Sequence, residues 1–410
     1  MTDRVESATN DISFLRLIST SIAAKLLVDT NTQIFSPFLP IIAAGLGIDV
    51  VTMGRLLGLR SAVGLLSPFF GTLADRRGYR LVIRMGLLLT ALGMFLIASS
   101  QQLWMAAVGM IAAGLGVSSF IPTLQAYVSA QLPYHQRARA LGMVEYAWAI
   151  TGIAGLSLIG WLIEATNWRV PFFLLGIGLV IMSFVFGAMP AVRAVDHGSA
   201  PTNNPSGSLS VPVWRRMGNF FALGSNARST YSTISAGALT FFAGFQIMII
   251  YGAWLKNQYQ LDAAQLGLVA LILGLFDLVA SVSVSLFTDR IGKRRSVLLG
   301  NLFALLGYLL LPWLNTSVTL TVFGIALARG CFEFTIVSHF PLLSEQVPEQ
   351  RGKVLTLGSA VVLGAGTLAS FSGPWLYTHY GVIGVSTLSA TSVGGAVLLL
   401  LSWVKERPEG

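Results

Sequence analysis

The 410-residue sequence is poor in charged residues and has a single cysteine. Only 10% of its residues are Asp, Glu, Lys or Arg, whereas a soluble domain usually carries about 25%. Cys331 alone excludes an intramolecular disulfide, and the four histidines are too scattered for a metal site. The sequence also has no Walker A loop and no nucleotide-binding pattern. It therefore predicts no cofactor, no metal, no ATP-driven step and no enzyme.

Apolar side chains are abundant: 54% of the residues are hydrophobic, and the mean hydropathy is +0.73. A run of roughly 20 apolar residues is long enough to cross a bilayer as a helix. Twelve such runs are present, at about residues 15–44, 53–73, 81–99, 103–128, 142–163, 170–190, 230–255, 266–287, 297–314, 318–343, 354–377 and 382–404. The sequence therefore predicts an all-α membrane protein with twelve transmembrane helices and the lipid bilayer as its main solvent.

The formal net charge of +9 would suggest nucleic acid as a partner of a soluble protein. Here most of the 26 Lys and Arg residues lie in loops and ends on one side of the predicted helices. This asymmetry is typical of cytoplasmic loops and argues against nucleic acid. The N-terminal stretch MTDRVESATND is too polar for a signal peptide. We expect a multi-pass protein of the cell (plasma or inner) membrane, with both termini in the cytoplasm.

The sequence repeats itself at an offset of 214 residues, without a gap. Asp75, Arg76 and Gly78 recur as Asp289, Arg290 and Gly292. The same offset relates Gln136-Arg137 to Gln350-Arg351, and Trp161-Leu162 to Trp375-Leu376. We therefore predict two copies of one six-helix unit, residues 1–190 and 229–410. Residues 191–228 are rich in Pro, Gly, Ser and Asn and are predicted to form a cytoplasmic linker.

The first copy of the repeated loop reads GTLADRRGYR, from Gly71 to Arg80. Glycine at position 78 allows a tight reversal, because glycine accepts a positive φ without steric cost. A loop that only set topology would need basic residues but not this order. The stretch resembles the signature loop between the second and third helices of the major facilitator superfamily. It departs from that pattern at Tyr79, and the second copy has Ser285 at the leading glycine.

This resemblance implies two parallel six-helix halves, alternating access, and a small-molecule site between the halves near the membrane midplane. We also expect a monomer. We expect Asp75 and the basic residues after it to form a charged latch that closes the cytoplasmic side in one state. The candidate gating residues are Gly71, Asp75, Arg76, Gly78, Arg80, Asp289, Arg290, Gly292, Arg137 and Arg351.

Ionisable side chains inside membrane helices are costly and are therefore functional candidates. Lys25, Asp29, Gln33 and Ser36 share one face of the first helix, and such a polar stripe must face a cavity or another polar helix. Lys25 and Asp29 are one turn apart and can neutralise each other. The pair is either a purely structural ion pair or part of the pathway, in which case Asp29 is predicted to carry a coupling proton.

Further candidates lie in other helices. Asp277, Ser281 and Ser285 form a polar stripe on the eighth helix, and Asp277 is the rival proton site. On the tenth helix, Arg329 and Glu333 are spaced as an i, i+4 pair.

Three other polar groups receive separate predictions. Arg60 in the second helix is expected to reach toward the membrane surface. Glu145 is expected to pair with loop arginines such as Arg137, and His339 to be structural. Lys25, Arg60 and Arg329 nearly balance Asp29, Asp277 and Glu333, so these charges do not dictate the charge of the substrate.

We therefore predict a secondary transporter of a small organic molecule, with protons as the coupling ion. The acidic residue in the first helix resembles the proton-handling position of drug and sugar exporters in that family, and export by antiport is the preferred direction. Two departures from the exporters' pattern count against export. Leu156 and Ile159 depart from the exporters' fifth-helix signature, and Met110 stands where exporters often have Arg. The alternative is proton-coupled uptake of an organic anion held by Arg60 and Arg329.

Overall fold

Twelve helical spans are present in the computed structural model, which describes residues 13–191, 226–347 and 350–406. The first six spans are α1 (Phe14–Gln33 and Phe35–Gly45), α2 (Val50–Ala62, a 3₁₀ turn at Val63–Leu66, and Ser67–Arg77), α3 (Tyr79–Ser99), α4 (Leu103–Ala130), α5 (Tyr134–Ile150, a π turn at Thr151–Gly155, and Leu156–Ala165) and α6 (Arg169–Gly187). The other six are α7 (Ala227–Tyr259), α8 (Ala263–Ile291), α9 (Lys293–Leu314), α10 (Val318–Ser344), α11 (351–380) and α12 (382–402).

The twelve predicted runs all coincide with these spans. Among the described residues, nine helices are long and apolar enough to cross a membrane as single units. The segment Arg351–Ser402 counts as one of them but contains two spans, because Gly381 leaves the helical region (φ 60°, ψ −154°) and the chain reverses there. α1 and α2 are broken into shorter helices. The predicted fold, an all-α protein with twelve spans, is confirmed.

The break in α1 was not predicted. The helix stops at Gln33 and restarts at Phe35. Pro37 has no amide hydrogen, so the carbonyl of Gln33 loses its helical partner. Likewise, the 3₁₀ turn in α2 ends just before Pro68, which has no N–H to offer Gly64. Both breaks lie within the span, where they can redirect the side chains next to them.

The repeat is visible in the backbone. Gly78 and Gly292 have nearly identical positive-φ conformations, with φ of 94° and 96° and ψ of 144° and 141°, which confirms the prediction for this turn. Arg80 donates to the carbonyl of Met189 (2.8 Å) at the end of α6. Its repeat partner Arg294 donates to the carbonyl of Leu400 (2.9 Å) at the end of α12. Each loop therefore fastens the last helix of its own half.

For description, the basic side is the side where α1 begins and where the loops containing Arg76 and Arg290 lie; the opposite side is the far side. The halves pack together mainly near the far side, through α1 on α7, α2 on α11 and α5 on α8. In α5 and α8 the backbones meet at glycines: a Cβ on Gly160 would come within 3.0 Å of the Gly267 Cα. In contrast, the basic-side segments Phe14–Gln33 and Ser67–Arg77 pack chiefly within their own half. The two halves are thus joined mainly near the far side and make few contacts with each other at the basic side.

The predicted linker, residues 191–228, lies largely outside the described ranges. The side chains of Asp75 and Asp289 are also outside the described part of the structure.

Candidate functional site

The first polar cluster joins α1, α4 and α5. The Lys25 Nζ lies 2.7 Å from Asp29 Oδ2 in the same helix, so the predicted i, i+4 pair is formed. The same Nζ lies 3.1 Å from Glu145 Oε2 on α5. Gln125 of α4 donates to the other Glu145 oxygen at 3.1 Å. One ammonium therefore serves two carboxylates, and we refer to Lys25, Asp29, Glu145 and Gln125 as the Lys25 cluster.

The expectation for Glu145 is wrong. Glu145 pairs with Lys25 inside the helix bundle, whereas Arg137 donates to the carbonyl of Leu132 in its own turn. The members of the cluster differ in exposure: the Lys25 and Asp29 side chains are 4% and 1% exposed, and that of Glu145 is 49% exposed. Glu145 is thus far more open to the surroundings than the Lys25–Asp29 pair.

The second cluster joins α8 and α10. Arg329 grips Asp277 in a bidentate manner: Nε donates at 2.8 and 2.9 Å, and Nη2 at 2.6 Å. Arg329 therefore pairs with Asp277 of the facing helix and not with Glu333, its i, i+4 neighbour on α10. Glu333 is half-buried and accepts a long bond of 3.5 Å from the Ser281 hydroxyl. Asp277, Ser281, Arg329 and Glu333 form what we call the Arg329 cluster.

The reason for this second difference is geometric. A planar guanidinium matches both oxygens of a carboxylate at once, and this arrangement is strong. The i, i+4 spacing on α10 brings Glu333 near Arg329, but the facing helix offers Asp277 in the better orientation. Both side chains of the pair are largely removed from solvent, 10% exposed for Arg329 and 5% for Asp277.

Arg60 does not reach toward the membrane surface, contrary to expectation. It is buried, donates to the Thr32 hydroxyl at 3.2 Å, and lies over the Phe35 ring at 5.4 Å from the centroid. Its Nε has no hydrogen-bond partner, and no carboxylate of the described residues forms an ion pair with it. Arg60 is therefore a buried cation held by a hydroxyl and an aromatic face, next to the break in α1.

Gln33 connects α1 to the interface between the halves. Its amide donates to the Trp148 carbonyl of α5 at 3.1 Å. Gln33 and Ser36 also line a cavity of about 10 Å³, together with Gly152 from α5, Tyr251 from α7 and Arg329 from α10. A space of this size holds about one water molecule. The polar face of α1 thus meets the Arg329 cluster at the interface.

Two further polar side chains are buried in the second half. The His339 ring nitrogen Nε2 lies 2.8 Å from the Thr233 carbonyl of α7, away from the Arg329 pair, as the prediction of a structural role requires. Both amide atoms of Gln246 lack a partner within the described residues.

The gating residues lie at the basic side. Arg76, Arg290 and Arg351 are exposed there, and Arg80 fastens the end of α6. A Cβ on Gly71 would meet open space. A latch that joins Asp75 to neighbouring helix ends stays a prediction.

Together these observations define a class of protein. The chain is a helical membrane protein whose two six-helix halves are joined mainly near the far side, and each half buries an ion pair among its helices. This is the architecture of a transporter, and the residues on its inner face can bind polar groups and exchange protons.

The chain belongs to the major facilitator superfamily, whose family model matches residues 22–251 and 233–410. Its curated relatives are transporters rather than enzymes. One is the uncharacterized MFS-type transporter YwfA of Bacillus subtilis (strain 168), which is 26% identical over 380 residues, 91% of this chain and 88% of that protein. The quinolone resistance protein NorA of Staphylococcus aureus (strain N315) is 29% identical over 150 residues, 36% of this chain and 38% of that protein.

Among solved structures, the D-xylose-proton symporter superimposes with a TM-score of 0.74 at 16% identity, covering 96% of this chain and 99% of that chain. This likeness confirms the fold.

Proposed function

We propose that this transporter exports a small organic molecule in exchange for protons by alternating access. The observation that carries the proposal is the Lys25–Asp29 ion pair, which is buried in the middle of α1 at 2.7 Å and continues to the half-exposed Glu145. A carboxylate that is buried in one state and hydrated in another binds a proton differently in the two states. Such a difference in affinity is what coupling requires.

The basic side is assigned to the cytoplasm, because cytoplasmic loops carry the excess of Lys and Arg. Both termini and the linker then face the cytoplasm, and the few contacts between the halves at the basic side correspond to an inward-facing state. In an exporter this state receives the cargo. The partial likeness to a quinolone resistance protein supports an organic cargo of drug-like size.

Uptake of an organic anion is the second candidate, and one observation favours it. Arg60 is a buried cation with an unpartnered Nε and no acidic partner in the described part of the chain. An anionic substrate group would complement it. Arg329 is less suited to this role than Arg60, because its Nε and Nη2 already donate to Asp277.

The two candidates are separated by flux measurements in proteoliposomes with an imposed pH gradient and a panel of small organic compounds. Export by antiport predicts that a compound moves against the proton flow, whereas symport predicts that it moves with the proton flow. If no compound responds to the gradient, proton coupling is refuted for this panel.

The signature loop provides a separate test. We propose that Asp75 belongs to the latch on the basic side, because the D-R-x-G pattern recurs at Asp289. Asp75→Asn is expected to reduce transport and shift the balance of inward- and outward-facing states, with little change in the yield of folded protein. The control is Asp262→Asn at the far side, which also removes a charge. Asparagine can still accept the 2.8 Å bond from the Gln265 amide at that N-cap. Normal transport in Asp75→Asn would refute the latch.

A further inference from the structure

The contacts between α5 and α8 set the register of these two helices. They run in opposite directions, and on the far side Gly160 meets Gly267 while Gly152 meets Gly274: a Cβ on Gly152 would lie 3.2 Å from the Gly274 Cα. Seven residues make about two helical turns. Two turns toward the basic side from Gly152 the chain reaches Glu145, and two turns from Gly274 it reaches Ser281. Glu145 and Ser281 therefore lie at about the same depth on these two neighbouring helices, on the basic side of the glycine contacts.

Glu145 on α5 is thus level with Ser281 on α8, and the Ser281 hydroxyl donates to Glu333 at 3.5 Å. Glu145 and Glu333 are also the more exposed carboxylates of their respective clusters. Both carboxylates are partly exposed in this structure, so water can hydrate both. When the basic side closes, the two carboxylates approach each other and lose that water.

Around the gap between the halves, acidic side chains outnumber basic ones. α1 contributes Lys25 and Asp29, α5 contributes Glu145, α8 contributes Asp277, and α10 contributes Arg329 and Glu333. Four carboxylates therefore share two cations: Glu145 shares Lys25 with Asp29, and Glu333 lies outside the Arg329–Asp277 pair. α4 adds the neutral Gln125, α7 adds Tyr251 and α9 adds Tyr308. Residues 354–401 of α11 and α12 contain no Asp, Glu, Lys or Arg, and Arg60 contacts α1 at Thr32 rather than this gap.

We propose that Glu145 and Glu333 form a proton-controlled lock on the basic side, which closes only when at least one of the two carries a proton. Two carboxylates that share a site from which water is excluded do not both stay ionised, and dehydrating carboxylates that outnumber their cations is costly. The inference rests on the proposed proton coupling and assigns the control of the conformational change to two residues outside the Lys25–Asp29 and Arg329–Asp277 ion pairs.

The test measures the opening directly by electron–electron double resonance between two spin labels. Gly142→Cys on α5 and Gly352→Cys on α11 place the labels where a Cβ meets open space, in a Cys331→Ser background. A closure linked to one proton changes the ratio of closed to open molecules by up to about tenfold per pH unit, measured here between about pH 5.5 and about pH 8.5. We expect the short-distance population to grow as the pH falls. In Glu145→Gln we expect that population to be large at high pH already and to change little with pH.

Glu333→Gln is the second variant and should behave in the same way. Glu164→Gln, on the far-side end of α5, is the matched control: its amide oxygen can still accept the bond that Glu164 takes from the Ala263 amide at 3.2 Å. A full pH response that persists in both Glu145→Gln and Glu333→Gln would overturn the lock. If proton-driven transport also persists in the unaltered protein, the lock alone is wrong. If the unaltered protein shows neither pH-dependent closure nor proton-driven transport, the proposed coupling fails with it.

Discussion

Replacing Asp29 with asparagine is expected to abolish transport driven by a pH gradient while leaving exchange of substrate for substrate intact. Asp29 is 1% exposed and bound to Lys25 at 2.7 Å. A neutral amide keeps the size of the side chain but no longer binds and releases a proton. Exchange needs only that both conformations bind substrate, whereas driven transport needs a group that carries the proton between them. The measurement is flux in proteoliposomes with and without an imposed gradient.

The fold should survive this change, because Lys25 keeps a partner in Glu145 at 3.1 Å. Asp262→Asn at the far side again serves as the matched control and is expected to retain driven transport. If driven transport survives in Asp29→Asn, the proton site lies elsewhere, and Asp277 becomes the first candidate. If exchange is lost as well, Asp29 also takes part in substrate binding or in the conformational change.

The second large effect concerns the stability of the Arg329–Asp277 pair. Removing one partner of a buried ion pair leaves an unpaired charge and typically lowers the free energy of unfolding by about 3–5 kcal/mol. Asp277→Ala alone is therefore expected to destabilise the protein strongly, as measured by the midpoint of thermal unfolding in detergent. Asp277→Ala together with Arg329→Met is expected to recover much of that loss, because no unpaired charge is then left in the interior.

The matched comparison is the Lys293–Glu345 pair at the basic side, which is partly exposed. Breaking it with Lys293→Ala should change stability by no more than about 1 kcal/mol, because solvent screens such a pair. A small effect of Asp277→Ala would contradict the account of a buried pair. The double variant also tests function: if it is stable but inactive, the pair has a role in transport, whereas full transport would show that it is only structural.

The features that depend on neighbours along the chain could be predicted from the sequence. Apolar length predicts the twelve spans, the 214-residue offset predicts the repeat, and Gly78 predicts the positive-φ turn. Polar spacing also predicts the Lys25–Asp29 pair, because residues four apart share a helix face. Each of these inferences needs only the geometry of a single helix or turn.

The features that depend on packing between helices could not be predicted. Helical spacing names Glu333 as the neighbour of Arg329, but only the approach of α8 shows that Asp277 is the better partner. Likewise, Glu145 lies near the basic end of α5 in the sequence, and its contact with Lys25 requires the α1–α5 packing. The π turn at Thr151–Gly155 also involves a contact between helices: the Thr151 hydroxyl donates to the Leu26 carbonyl of α1 at 3.4 Å. Nothing in the local sequence indicates that contact.

The central claim, that substrate movement is coupled to proton movement, is tested most directly by letting a substrate gradient drive protons. Proteoliposomes containing the unaltered protein and a luminal pH-sensitive dye are loaded with a compound that the protein transports and diluted into compound-free buffer at equal pH. Antiport predicts that the lumen acidifies as the compound leaves, and that the change disappears in Asp29→Asn. Departure of the compound through the unaltered protein without any change in luminal pH would contradict the account.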